Sequence, residues 1–156
     1  MTIFVGITGG IATGKSTIVK FLQKKGYKVH DSDLVVKKIY SQPNKQLLAT
    51  LKNIGLSNSI KNKKIDKKII RDEIFSNKVK KKKLEKFIHK EVRISRNLFI
   101  KKHKNKKNKI IFFDIPLLFE AKLTHICDYI ILLYTPKKIK IERALKRKNT
   151  NKEAII

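Results

Sequence analysis

Apolar residues fall into two regimes along this chain. Short unbroken runs stand at Ile3-Phe4-Val5-Gly6-Ile7, at Ile110-Ile111-Phe112-Phe113 and at Tyr129-Ile130-Ile131-Leu132-Leu133-Tyr134. Runs of this length predict strands, and their lack of polar alternation predicts burial on both faces, as in a parallel sheet under helices. A further strand is predicted at Tyr27–His30. Helical spacing appears elsewhere: Ile18, Phe21 and Leu22, then Ile69, Ile70, Ile74 and Phe75, then Leu84, Phe87, Ile88 and Val92. Residues 44–108 therefore predict three or four helices and no convincing strand. Gly26 suits the cap that ends the first helix, and Asp33 is a cap candidate for a helix over about Leu34–Tyr40. Ser41-Gln42-Pro43-Asn44 breaks the pattern, and Thr135-Pro136 ends the last strand before a helix from Lys137 to about Lys148. The lysine runs Lys80–Lys83 and Lys101–Lys109 are expected at exposed turns or helix ends.

Between the first strand and first helix lies Gly9-Gly10-Ile11-Ala12-Thr13-Gly14-Lys15-Ser16-Thr17. It fits the phosphate-loop pattern G-x-x-x-x-G-K-[ST] in the strand–loop–helix context which that mechanism requires. Gly9 and Gly14 allow turns that a side chain would block. The loop's N–H groups can then hold phosphate oxygens, aided by the positive end of the following helix. Lys15 is placed to reach the β- and γ-phosphates, and the Ser16 hydroxyl to serve as a Mg²⁺ ligand. The expectation is an α/β, three-layer fold of the P-loop NTPase type. Its core would be 1–34 and 109–136, with a helical insertion over 35–108, in a single domain.

Composition changes this picture little. A chain of 156 residues is about one domain. No apolar run is long enough to span a membrane, and the opening strand does not read as a secretory leader. The single cysteine, Cys127, excludes an internal disulfide and reads as a small core residue, and a cytoplasmic monomer is expected. The net charge of +27 points at first to nucleic acid. However, lysine supplies 34 of the 39 cationic residues, alongside 24 Ile and 10 Asn. That mixture suggests an AT-rich coding bias rather than a reading surface, which favours arginine's planar fork. The positive field would still attract anionic nucleotides.

Phosphoryl transfer needs an acid on the metal and a group to take the acceptor's proton. Asp31, Asp33 and Asp114 fall at strand ends beside the loop, where open parallel sheets bind ligands. Asp114 is the metal-side candidate; Asp33, with Asp31 as runner-up, is the candidate base. Arg143 and Arg147 share a face of the last helix at i, i+4 and could stabilise a transferring phosphoryl group. No His/Cys cluster has zinc-ligand spacing.

These motifs resemble, in order along nearly the whole chain, those of dephospho-CoA kinases. The glycine loop does so, as do the D-x-D of Asp31-Ser32-Asp33, the L-E-x-x-x-H of Leu84 to His89, and the R-x-x-x-R of Arg143 to Arg147. The most diagnostic is Pro116-Leu117-Leu118-Phe119-Glu120, similar to the family's P-L-L-F-E block. The resemblance implies transfer of a phosphoryl group from ATP, with Mg²⁺, to the ribose 3′-hydroxyl of dephospho-CoA. It implies Gly9 to Thr17 as the ATP site, Asp33 as base, and Arg143 and Arg147 on a lid over 137–151. Asp31, Asp33, His89, Leu117 and Glu120 would serve the acceptor, with the middle helices as the CoA-binding part. Neither nucleic acid nor membrane is an expected partner. Alternatives are a P-loop kinase for another small acceptor, such as a nucleoside monophosphate, or a basic nucleic-acid-binding protein. His89-Lys90 replaces the family's His-Pro, and Lys67 stands beside Asp66 where the family has arginine. Relatives are expected to continue past Ile156 with a further strand and a last helix.

Overall fold

The computed structural model describes residues 1–62, 64–104 and 109–145. In chain order the elements are β1 (Ile3–Gly9), α1 (Lys15–Lys24), β2 (Lys28–Asp31), α2 (Ser32–Ser41), α3 (Lys45–Asn53) and β3 (Ile60–Lys61). Then come β4 (Lys64–Ile65), α4 (Lys67–Ser76), α5 (Lys78–His103), β5 (Ile110–Asp114), β6 (Tyr129–Leu133) and α6 (Lys137–Leu145). The chain divides into two compact units, Met1–Ser32 with Ile100–Ile156, and Asp33–Phe99.

The first unit is built on a parallel sheet of strand order β2-β5-β1-β6. Strands β1 and β2 are consecutive in sequence yet not neighbours; β5 returns from the far part of the chain and slots between them. This explains its composition: an inner strand covered on both faces needs apolar side chains on both. Ile111 and Phe113 are fully buried, and Phe112 nearly so. Phe113 stacks on Phe4 at 5.5 Å between ring centroids, while Phe112 meets Tyr27 edge-on at 5.4 Å. Val5, Ile7, Val19 and Phe112 form one core cluster. Burying each such side chain contributes about 1.5–3 kcal/mol. Gly26 adopts φ +89 just past α1, and its N–H donates to the Gln23 carbonyl, as a helix-ending glycine should.

The strand β6 departs from expectation. Its apolar run predicts cover on both faces, but Tyr129 and Leu132 are 66% and 61% exposed. Among the described residues β6 pairs only with β1, so it is an edge strand whose sequence reads like an inner one.

The second unit is helical around Leu47, Leu51, Leu56, Ile70, Leu84 and Ile88. Asn44 caps α3 by accepting from the Leu47 N–H at 2.8 Å, and Asp66 caps α4 by accepting from Lys68 and Ile69. Two local expectations are corrected here. Residues 44–108 do contain strands, the antiparallel pair β3–β4, too short for alternation to reveal and turned at Asn62 with φ +49. Lys80–Lys83 stand at the amino-terminal end of α5, one of the two expected places, and Lys80 pairs with Glu73 at 2.6 Å. Asp33 is not a cap: α2 begins one residue earlier, so Asp33 sits in its first turn, where a carboxylate still suits the helix dipole.

Candidate functional site

The glycine loop owes its shape to close approach. A Cβ on Gly9 would lie 2.7 Å from the Leu133 carbonyl oxygen and 2.9 Å from Thr13 Oγ1, so only glycine lets the tip of β1 sit against β6. Gly14 precedes α1 in the left-handed region at φ 91, and Ala12 is left-handed at φ 60. A non-glycine residue held there is strained, a state that persists at ligand clamps. The outer carbonyls of the loop are occupied. Thr13 Oγ1 donates to Gly10 at 2.9 Å, Thr135 Oγ1 to Thr13 at 3.4 Å, and Arg143 Nη1 to Ala12 at 3.5 Å. No side chain caps the first turn of α1, and an uncapped helix N-terminus suits an anion.

Lys15 opens α1 and sends its Nζ to Asp114 Oδ1 at 2.5 Å. The two side chains are only 14% and 6% exposed. Asp114 is fixed from several directions. It ends β5 opposite Ile7 of β1 and opposite Asp31 of β2, which places two carboxylates side by side at neighbouring strand tips. The following chain is tied to β1, with the Ile115 N–H donating to Ile7 at 3.0 Å and Thr8 Oγ1 donating to Pro116 at 2.9 Å. The ammonium thus already has a carboxylate partner, and a triphosphate would have to compete for it.

The structure brings together Gly9, Gly10, Ile11, Ala12, Thr13, Gly14, Lys15, Ser16 and Thr17 with Asp31, Asp114 and Arg143 in one unit. Ser16 and Thr17 are exposed in the first turn of α1. Leu117 and Glu120 are exposed in the turn after β5, while Leu118 between them is buried. Asp33 and His89 belong to the helical unit, both exposed. His89 lines, with Tyr40 and Ile88, a cavity of about 140 Å³; burial raises the Tyr40 phenol above its ordinary value. Lys67 places its ammonium 5.5 Å from the Tyr40 ring centroid. Arg147 lies outside the described residues. Sequence reasoning missed Thr8 and the contact from Thr135. Thr135 was visible only as a strand terminator, and nothing local marked Thr8.

The dephospho-CoA kinase family model matches residues 3–156. The chain belongs to the dephospho-CoA kinase family. It is 37% identical over 151 residues to the dephospho-CoA kinase of Fusobacterium nucleatum subsp. nucleatum, covering 96% of this chain and 75% of the relative. It is 31% identical over 156 residues to that of Bacillus licheniformis, covering 98% and 76%. Among solved structures, it is similar to the dephospho-CoA kinase from Campylobacter jejuni, with TM-score 0.69, 33% identity, and cover of 99% of this chain and 77% of that one. It is also similar to TT1252 from Thermus thermophilus, with TM-score 0.79, 27% identity, and cover of 99% and 76%.

Proposed function

We propose that the chain transfers the γ-phosphoryl group of ATP to the ribose 3′-hydroxyl of dephospho-CoA, giving coenzyme A and ADP. The observation that carries this reading is the glycine turn itself: a left-handed Gly14 before α1, a lysine at the head of that helix, and that lysine reaching the carboxylate at the tip of the adjacent strand. The loop from Gly9 to Thr17 holds the β- and γ-phosphates, and Lys15 exchanges Asp114 for them. As the 3′-oxygen bonds to the γ-phosphorus, the bond to the β–γ bridging oxygen breaks and ADP leaves. The hydroxyl proton passes to Asp33. Arg143 and Arg147 meet the charge on the transferring group, a contribution worth up to about 10³–10⁵ in rate.

Mg²⁺ fits the donors present. Ser16 and Asp114, with Asp31 beside it, offer hard oxygens, and this cation is typically bound through one or two carboxylates or hydroxyls plus substrate phosphates. When bound it would neutralise charge on the phosphates. His89 in the helical unit and Asp31, Leu117 and Glu120 in the sheet unit are the candidate acceptor residues, and α6 would begin the lid. We place the enzyme in the cytoplasm as a monomer; among the described residues no helix is long and apolar enough to cross a membrane.

A coupled assay with ATP and dephospho-CoA tests the reading. ADP release matched by coenzyme A formation is expected. Turnover of a nucleoside monophosphate with none of dephospho-CoA would reject it.

A further inference from the structure

Alternate residues of a strand share a face, so Phe4, Gly6 and Thr8 lie together on one side of β1. Gly6 stands opposite Phe113 of β5, and a Cβ there would lie 2.6 Å from Leu118 Cδ1 and 2.8 Å from Cys127 Sγ. Its missing side chain is the room in which those two pack. Thr8 is buried and donates its hydroxyl to the Pro116 carbonyl at 2.9 Å. Proline has no N–H to offer a neighbouring strand, so the carbonyl is the backbone group by which β1 can hold residue 116. Past the register pair Ile7–Asp114, the Ile115 N–H donates to Ile7 at 3.0 Å, and Thr8 carries the hold one residue further with a side chain. The chain then closes a turn on itself. The Ala121 N–H donates to Leu117 at 2.9 Å, that of Lys122 to Phe119 at 2.9 Å, and that of Leu123 to Leu118 at 3.0 Å. Leu118 is fully buried, whereas Leu117, Phe119 and Glu120 are exposed. One leucine anchors the turn, and its neighbours are displayed.

We propose that Thr8 is a positioning residue for the acceptor, an inference that rests on the dephospho-CoA kinase reading above. By holding Pro116 it orders the turn that displays Leu117 and Glu120, and so sets the affinity for dephospho-CoA without entering the phosphoryl chemistry. A turn fixed before the acceptor arrives spares the ordering cost that binding would otherwise carry. Packing of Leu118 against Gly6 secures the middle of the turn, and the Thr8 hydroxyl secures its beginning. A hydroxyl has one proton to donate, and that of Thr8 is given to the turn after β5 although the residue adjoins Gly9 in sequence. Acceptor and nucleotide affinities should therefore separate when it is removed.

Three variants test this. Thr8→Val keeps the shape and removes the hydroxyl, Thr8→Ala removes both, and Thr8→Ser keeps the hydroxyl. The first two should raise KM for dephospho-CoA about fivefold, the scale of one lost hydrogen bond, while kcat and KM for ATP hold. Thr8→Ser should restore the wild-type KM. In a Leu117→Ala, Glu120→Ala background Thr8→Val should add little, because the groups it positions are gone. Without any substrate, hydrogen exchange at the Ala121, Lys122 and Leu123 amides should quicken about fivefold in Thr8→Val, while exchange at Phe112 and Phe113 holds. An unchanged KM for dephospho-CoA in Thr8→Val and Thr8→Ala, an equal rise in KM for ATP, or no restoration by Thr8→Ser overturns the assignment. A wild-type protein that ignores dephospho-CoA but phosphorylates another acceptor sinks the kinase reading instead. Exchange then still decides the hold on the turn: faster exchange at residues 121–123 in Thr8→Val upholds it, and unchanged exchange overturns it.

Discussion

Replacing Asp114 by Asn keeps the shape of the side chain and removes its charge, leaving the Lys15 ammonium without its counter-ion in a site where both groups are largely withdrawn from water. Removing one partner of a buried ion pair costs about 3–5 kcal/mol. Lys15 keeps 14% exposure, which favours the lower end, near 3 kcal/mol. At about 2–4 °C per kcal/mol for a chain of this size, Tm should fall by roughly 6–12 °C. Nucleotide should narrow the gap, because its phosphates give Lys15 a new counter-charge. At one ATP concentration each protein gains according to its own Kd, about 2.7 kcal/mol at 100 times Kd, so the gap narrows only as far as the variant binds ATP more tightly than wild type. Thermal melts by circular dichroism, with and without ATP, measure this. A double-mutant cycle with Lys15→Met and Asp114→Leu completes it. The double variant should recover most of the loss, since exchanging both charges for apolar groups is close to neutral. Single losses below about 1 kcal/mol, or losses that simply add, would refute the reasoning.

Asp33→Asn should abolish turnover while ATP binding by calorimetry stays intact; normal turnover would move the base elsewhere. Arg143→Ala should lower kcat by about 10³ or more with little change in KM for ATP, read by steady-state kinetics. Gly9→Ala forces a Cβ against the Leu133 carbonyl and should cost about 1–3 kcal/mol in urea melts while raising KM for ATP. Burial raises the Tyr40 pKa in the folded chain above its unfolded value. The stability this contributes is therefore present below the ordinary tyrosine value near 10 and lost as pH rises through the folded pKa. Urea melts across that window should show the loss in wild type and not in Tyr40→Phe.

The loop and its flanks were legible because their signals are local: glycines at fixed spacing, an apolar run before them, helical periodicity after. The two acidic strand tips were legible as well, since an acid ending an apolar run marks a strand's exit from the core. What the sequence hid was pairing. Lys15 and Asp114 are 99 residues apart, and nothing in either neighbourhood announces the other. The edge position of β6 was equally hidden, because an inner strand and this edge strand carry the same apolar run. The β3–β4 pair was missed for a different reason: two residues are too few to express a period. Asp33 illustrates the ±1 ambiguity of helix starts, where Ser32 and Asp33 are equally good first-turn residues.

Strand β5 is laddered on both sides, to β1 and to β2, while its amino end meets a lysine- and asparagine-rich connection. The carboxylate of Asp114 therefore takes its coordinates from two neighbouring ladders and owes little to the segment that precedes it. Insertions or deletions upstream of Lys109 should be tolerated by evolution and by engineers alike. A one-residue slip of the strand would instead carry the acid to the opposite face of the sheet, so length drift in this lineage should concentrate in that connection.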